Sequence, residues 1–558
     1  MNIQELENVY AKLPQASALA KAIEKSSAKK IFLEGLLGSS APMLFGSIAS
    51  KCAHPLIFVL QDAEEAGYFY HDLTQLLGDK NVLFFPSSYR RAVKYAQRDA
   101  ASEILRTEVL AAISSLAGNH KVQSSKFKVQ SPFIVSYPEA LAELVVSKKN
   151  LDERTLVLEK DQRVDISDVT KTLREFGFRE VDYVYEPGQF ALRGSILDVY
   201  SFSCEYPYRV DLFGDDIDSI RTFEVEDQLS KEQKDRVEIV PELTSISEDK
   251  VAFLSFVPAD TILVTKDYLY VRDAIERTYQ EGFSAQARME QMENATEMEQ
   301  REIERQLRRE SQLVTGAQWA SDAEKFRRIE FGHRPSSQPD ATLQFNISPQ
   351  PLFHKNFDLL KQTFEDYLLR GYAIYVCADS QKQNERLQEI LTSKLSFAPV
   401  NKTLHDGFSD DDLKVCIFTD HQIFDRFHKY NLKSDKARSG KMALTLKEIQ
   451  QFEIGDFVVH VDHGVGKFGG LVRMPVTNAA GQQTHQEMIK ILYQKGDSIY
   501  VSIHALYKVS KYKSQDNGEP PRLSTLGTGQ WEKLKERTKK HIKDIARDLI
   551  KLYAKRRR

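Results

Sequence analysis

Residues 185–226, YEPGQFALRGSILDVYSFSCEYPYRVDLFGDDIDSIRTFEVE, limit the possible folds more than any other stretch of the chain. Tyr208, Val210 and Leu212 alternate with Arg209, Asp211 and Phe213. A period of two is the pattern of a strand whose faces meet different surroundings. Gly214, Asp215 and Asp216 are turn formers, and a new strand is expected over 217–223, closing a hairpin. Upstream, Glu186-Pro187-Gly188 reads as a turn feeding a third strand over 190–200. Gly194 falls inside that run, where a glycine marks a bulge or a close backbone approach.

The chain has 558 residues, enough for roughly three to five domains. Its formal net charge of −3 gives no global attraction to nucleic acid. Cys52, Cys204, Cys377 and Cys416 lie far apart with no CxxC pair, so buried free thiols in a reducing compartment are expected. No apolar run reaches about 18 residues and no cleavable leader is visible, so a soluble cytoplasmic protein is expected.

Residues 1 to 120 read α/β, with apolar runs at 30–33, 55–60 and 81–85 separated by helical stretches. The first run leads into Gly35-Leu36-Leu37-Gly38-Ser39-Ser40-Ala41-Pro42. A phosphate-binding loop would sit here, but it needs a second glycine, a lysine and a hydroxyl where Ser40, Ala41 and Pro42 stand. No residue remains to neutralise phosphate or hold magnesium, and Pro42 removes an amide donor. Gly35, Gly38, Ser40, Ala41 and Pro42 are therefore expected to form a degenerate loop that binds no cofactor.

Residues 118–131 read as a polar connection. Helices are expected at 136–146 and 168–176, and a buried strand at 261–264. Residues 267–310 read as mostly helical, and the charge-alternating stretch 287–311 as a solvated helix. Residues 340–430 read as a second small α/β unit, with near-continuous apolar strands at 372–377 and 415–419. Asp379 and Asp410 to Asp412 are expected to be turn residues. A basic linker follows from 433.

From 448 to 515 the pattern changes to short strands at 456–461, 466–471, 487–493 and 498–503, the spacing of a small, strongly bent barrel. His460, Asp462 and His463 lack a fourth convergent ligand, and no metal is expected. In the tail, 531–558, twelve basic residues face four acidic ones. Leu534, Ile542, Ile545, Leu549 and Ile550 follow helical spacing there. The helical pattern reaches Arg558 without a cap, so the chain is expected to be the front part of a longer protein.

EPGQFALRGSILDVY and YRVDLFGDDIDSIRTFEVED resemble the module shared by the excision-repair protein UvrB and the transcription-repair coupling factor (Mfd) family. GDFVVHVDHGVGKFGG and IKILYQKGDSIYVSIHALYKVSKY resemble that family's RNA-polymerase-interacting domain, which is related to CarD. The two in this order, with the tail WEKLKERTKKHIKDIARDLIKLYAKR, are similar to the N-terminal part of the Mfd family.

The resemblance implies a multidomain α/β and α+β protein. Residues 1–125 and 213–340 would form a UvrB-like domain 1 with the degenerate loop, and 126–212 a UvrA-binding domain 2. Residues 341–432 would form a small domain 3, 433–447 a linker, and 448–517 a CarD-like, SH3/Tudor-like barrel. Residues 518–558 would be a linker and basic helix leading to an absent ATPase motor. The implied function is transcription-coupled repair: a monomer that binds the β subunit of stalled RNA polymerase and recruits UvrA. DNA would be engaged mainly through the absent motor. Arg179 and Arg193 match the UvrA-binding surface best by position, with Tyr200 and Arg209 as neighbours, and Ile489, Lys490 and Ile491 match the polymerase-binding strand. This chain would not be an enzyme, whereas the full-length parent would be an ATP-dependent DNA translocase using ATP and Mg. The alternatives are a UvrB-like ATPase or helicase and a CarD-like transcription regulator.

Overall fold

The computed structural model describes residues 1–25, 27–88, 100–117, 131–225, 228–243, 246, 249–282, 296–306, 312–391, 395–432, 452–477, 483–502, 505, 508–512 and 520–541. The connections expected at 118–131 and 433–447 lie almost wholly outside these residues, as does most of the stretch 287–311.

The first unit is a seven-stranded sheet in the spatial order Ala341–Gln344, Lys30–Glu34, Arg327–Phe331, Ile262–Lys266, Leu56–Val59, Phe133–Ser136, Val82–Phe85. Every pairing is parallel. A parallel sheet is covered by helices on both faces, so its strands are apolar throughout. The sequences LIFV and VLFF are buried at every position. Phe58 anchors this core, with ring centroids 4.9 Å from Phe45 and 5.3 Å from Phe133. The helix expected over 136–146 is one turn, Pro138–Leu141. The chain then extends, and β-branched Val145–Val146 pairs with Lys250–Val251.

The second unit is inserted between the strands Phe133–Ser136 and Ile262–Lys266. Leu156–Glu159 pairs with Arg236–Ile239. Between them runs a six-stranded sheet in the order Ser230–Lys234, Asp216–Phe223, Tyr208–Phe213, Ile196–Val199, Gln189–Arg193, Arg179–Glu180. Helix Ile166–Glu175 packs Val169 and Leu173 onto the face formed by Phe190, Leu197, Val199, Val210 and Ile220. The strand expected over 190–200 is two strands. Arg193 pairs with Ile196 across a two-residue turn, and Gly194, at φ +60°, makes a hairpin turn and not a bulge. Two expected boundaries also move. Phe133–Ser136 belongs to the first sheet, and the division expected at 212/213 falls inside a hairpin whose strands pair.

The third unit is a five-stranded sheet in the order Ile347–Pro349, Phe408–Asp410, Val415–Thr419, Ala373–Cys377, Ala398–Val400. It shares a core with the first unit through Val400, Leu404, Phe408, Val415 and Ile417. Asp410 is buried and accepts the Tyr10 hydroxyl at 3.0 Å and the amides of Asp412 and Leu413 at 3.0 Å each. Asp412 accepts from Gln15 at 2.7 Å. These acids tie units together.

The fourth unit is a five-stranded antiparallel sheet in the order Ser498–Ser502, Gln483–Leu492, Gly464–Thr477, Phe457–His460, Val509–Lys511. Among the described residues its end strands are not paired with each other. Gly466 lies where a Cβ would sit 2.4 Å from Ile491 Cγ2, so only glycine fits there. Residues 530–541 are helical, and Trp531 Nε1 donates to the Val461 carbonyl at 2.8 Å, docking the helix on the sheet. Of the apolar residues expected on that helix, Leu534 is exposed, and Ile542, Ile545, Leu549 and Ile550 lie outside the described residues. No helix among the described residues is long and apolar enough to cross a membrane.

His460 is buried, and its Nδ1 accepts the Asp462 amide at 3.1 Å. Burial, aided by His463, pushes its imidazole down to about 4. A histidine that the folded state keeps neutral subtracts no stability above its unfolded value, and costs stability as pH falls from there toward the folded value. Urea unfolding followed by Trp531 fluorescence in a Trp319→Phe background should therefore lose about 3 kcal/mol between pH 7 and pH 4 from this group. His460→Gln should make the pH dependence visibly shallower.

Candidate partner-binding faces

The loop at residues 35–42 ends in helix Ser40–Ile48. The first amides of a helix lack intrahelical partners and attract anions. Here protein groups satisfy them. The Ser39 amide donates to the Asp406 carbonyl at 3.0 Å, and the Asp406 amide donates to Ser39 Oγ at 2.9 Å. Ser39 Oγ in turn donates to the buried Asp72 carboxylate at 2.6 Å. A Cβ on Gly38 would lie 3.1 Å from Asp406, and one on Gly35 would lie 2.3 Å from the Phe345 carbonyl oxygen. Ser40, Ala41 and Pro42 are buried. The loop is closed over by the third unit, and the side chain nearest it is acidic.

On the second unit, one face of the six-stranded sheet carries the helix, and the other carries Ala191, Arg193, Asp198, Arg209 and Arg221. Asp198 is 2% exposed and holds two guanidiniums, Arg193 at 2.5 Å and Arg209 at 2.7 Å. Arg193 also lies 4.6 Å above the Tyr183 ring and Arg209 lies 4.1 Å above Phe223. Arg221 pairs with Asp211.

Of the four residues expected here, Arg193 is partly open at 33% side-chain exposure. Arg179, on the edge strand, is 53% exposed and pairs with Glu186 at 3.1 Å. Tyr200 is 5% exposed and its hydroxyl donates to the Glu205 carbonyl, so its ring packs with Val184 and Ala191 and offers no surface. Arg209 is almost wholly covered. The structure thus brings Arg193 and Arg209 together on one carboxylate and leaves Arg179 apart. Asp198 and Tyr183 escaped notice in the sequence. The alternation in ILDVY, which places an acid opposite two arginines once register is known, was the available signal.

On the fourth unit, Ile489 is 1% and Ile491 0% exposed. Both are core, together with Val458, Phe468, Tyr493 and Val501, so neither can face a partner. Lys490 lies on the outer face beside Tyr500, its cross-strand neighbour, which is exposed. Over Met488–Leu492 the strand is paired on both sides, so its backbone there is committed. Among the described residues, the sheet's open edge on this side is Ser498–Ser502, with Gln483–Glu487 also unpaired there.

A family model for the UvrB interaction domain matches residues 156–244, and one for the CarD-like/TRCF RID domain matches residues 452–513. The chain carries both domains, in that order. It is 23% identical to the transcription-repair-coupling factor of Bacillus subtilis over 95% of its own length and 49% of the relative's. It is 24% identical to that of Staphylococcus aureus strain USA300 over 87% of its length and 50% of the relative's. The factor of Staphylococcus epidermidis is 23% identical over 95% of this chain. The chain spans about half the length of the curated relatives it matches. The UvrB interaction domain begins with strand Leu156–Glu159 and ends beyond Arg236–Ile239, so it is the whole inserted unit and not the expected 126–212.

Burial separates these residues by energy. Arg209→Ala leaves the Asp198 carboxylate with half its compensation and should destabilise the second unit by about 3 kcal/mol. Arg179→Ala removes only a surface pair and should cost about 0.5 kcal/mol or less. Ile491→Asp places an unpaired carboxylate in the fourth core and should cost about 4 kcal/mol or more, whereas Lys490→Glu should change stability little. Urea titrations with amide-exchange mapping of each unit would show whether this order holds.

Proposed function

We propose that the chain is a non-catalytic adaptor in transcription-coupled DNA repair, acting as a monomer. One observation carries this: a UvrB interaction domain and a CarD-like/TRCF RID domain stand on one chain that aligns over 95% and 87% of its length with relatives named transcription-repair-coupling factors. In this reading the second unit recruits UvrA. Of the arginines expected there, Arg179 is exposed and Arg193 partly open, and a guanidinium fork matches carboxylates across an interface. The fourth unit, read as an SH3/Tudor-like barrel, docks on the β subunit of RNA polymerase through Lys490, Tyr500 and the open edge at Ser498–Ser502. ATP- and magnesium-driven movement on DNA is assigned to the part of the relatives that this chain does not cover. The loop at 35–42 takes no nucleotide, because the Ser39 amide at the helix start already bonds the Asp406 carbonyl and no lysine is present to meet phosphate.

One two-partner binding experiment tests the proposal. Arg179→Glu combined with Arg193→Glu should weaken UvrA binding by about tenfold or more and leave polymerase binding intact. Lys490→Glu combined with Tyr500→Ala should do the reverse. Polymerase binding without any UvrA binding would favour the CarD-like regulator. Saturable binding of a fluorescent ATP analogue would favour the UvrB-like ATPase.

A further inference from the structure

We propose that His405, His421 and His428 form a binding site for a divalent transition-metal ion, with zinc the best fit, on the face of the third unit that meets the first. The three imidazoles come from separate segments. His405 lies between strands Ala398–Val400 and Phe408–Asp410, His421 on the short helix Asp420–Ile423, and His428 beyond it. One ring nitrogen from each lies within 4.8 Å of the other two.

Two of these nitrogens are already at coordination spacing. Nδ1 of His405 and Nδ1 of His428 are 3.1 Å apart. A tetrahedral zinc site with Zn–N bonds of about 2.0–2.1 Å has N···N edges of about 3.3–3.4 Å. The third is prepared by its other nitrogen. His421 Nε2 donates to the His405 carbonyl at 2.7 Å. That bond places the proton on Nε2 and the lone pair on Nδ1, as in metal-ligating histidines oriented by a carbonyl.

His421 Nδ1 is buried and, among the described residues, has no hydrogen-bond partner. The nearest carboxylate oxygen, Asp420 Oδ1, is 3.9 Å away. A buried ring nitrogen without a partner is costly. Protons alone do not satisfy this set, since one shared proton can bridge His405 and His428 but leaves His421 Nδ1 bare. A cation held by His405 and His428 answers all three lone pairs once the His421 ring turns its Nδ1 toward it.

The surroundings hold the rings in place. Tyr68 of helix Ala63–Leu77 stacks on His405 at 3.5 Å and donates its hydroxyl to the His428 carbonyl at 2.7 Å. His421 stacks on His428 at 4.4 Å with the planes 12° apart, so ion binding requires its ring to tilt out of that stack. His71 packs edge-on against His428 with its own Nδ1 turned to Asp72 at 3.3 Å, so it buttresses the cluster without joining it. Asp72, Asp406 and Asp420 supply negative charge nearby. Three neutral ligands leave a fourth position for water. The ion would pin two loops and a helix of the third unit beneath Tyr68 and so stiffen its junction with the first.

The test uses the untagged chain, stripped with chelator and titrated with Zn²⁺ by calorimetry and with Co²⁺ by visible absorption. One ion per chain is expected, with a raised thermal midpoint on zinc addition. His405→Gln and His428→Gln should each weaken binding by about 100-fold or more. His333→Gln, at an exposed and remote histidine, should leave it unchanged. No saturable binding by the wild-type chain, or equal losses in all three variants, would overturn the site. Should a glutamine variant fail to fold, X-ray absorption on the zinc-loaded wild type decides. A shell of about three imidazoles supports the assignment, and a shell without imidazole refutes it.

Discussion

The Asp72 carboxylate lies at the point where the first and third units become one body. It is buried, and a buried charge is tolerated only with its lone pairs occupied. One oxygen accepts the Ser39 hydroxyl at 2.6 Å and the other the His405 amide at 2.9 Å. Through Ser39 it fixes the start of helix Ser40–Ile48, and through His405 it fixes the loop that covers that start. The same helix terminus that would cradle phosphate in an active loop is here a joint. An unfilled helix N-terminus facing a neighbouring unit would leave bare amides, and Asp406 removes that cost.

The sequence made the parallel sheet readable because fully buried strands are continuous apolar runs. It made the hairpin at Tyr208–Phe213 and Asp216–Phe223 readable because one face is wet. It failed at Gly194. A two-residue turn reverses the parity of the alternation. Read as a single strand, 190–200 puts Phe190 and Tyr200 on one face, whereas the register places Tyr200 on the face of Ala191 and Arg193. The unit boundaries were hidden for a related reason. Strand order in space follows from pairing, and nothing in the composition says that Phe133–Ser136 pairs with Leu56–Val59 before the chain leaves for the insertion. The histidine cluster was invisible because its members are scattered in sequence, with none of the short ligand spacings that mark a finger.

The arginine face shows how far residue type alone can mislead. Arg193 and Arg209 are both guanidiniums on one face of the sheet, on strands either side of Ile196–Val199. Their shared carboxylate makes them unequal. Arg209 is gripped through two nitrogens, at 2.7 and 2.9 Å, and covered by Phe223 on one side. Arg193 makes one bond to Asp198 and keeps part of its fork open. A partner carboxylate could compete for Arg193 without stripping Asp198 of all compensation, because Arg209 would remain. The open arginine is thus held in position by an internal acid at little structural risk.

The fourth unit follows the same logic with backbone in place of charge. A strand with neighbours on both sides has no free N–H or C=O groups, so it can meet a partner only through the side chains of its outer face. In Met488–Leu492, paired on both sides, the inner face is spent on Ile489 and Ile491, which lock against Gly466 and Val458. That leaves Lys490 flanked by Tyr500, a cation beside an aromatic ring on a flat surface. The neighbouring strand Ser498–Ser502 has one open edge and carries Tyr500 at its middle. The side chains that remain and the backbone that remains therefore converge on one strip. A partner strand laid along Ser498–Ser502 would extend the sheet and bring its own side chains over Tyr500 and Lys490. The isoleucines would act on such docking only indirectly, by holding the strip flat.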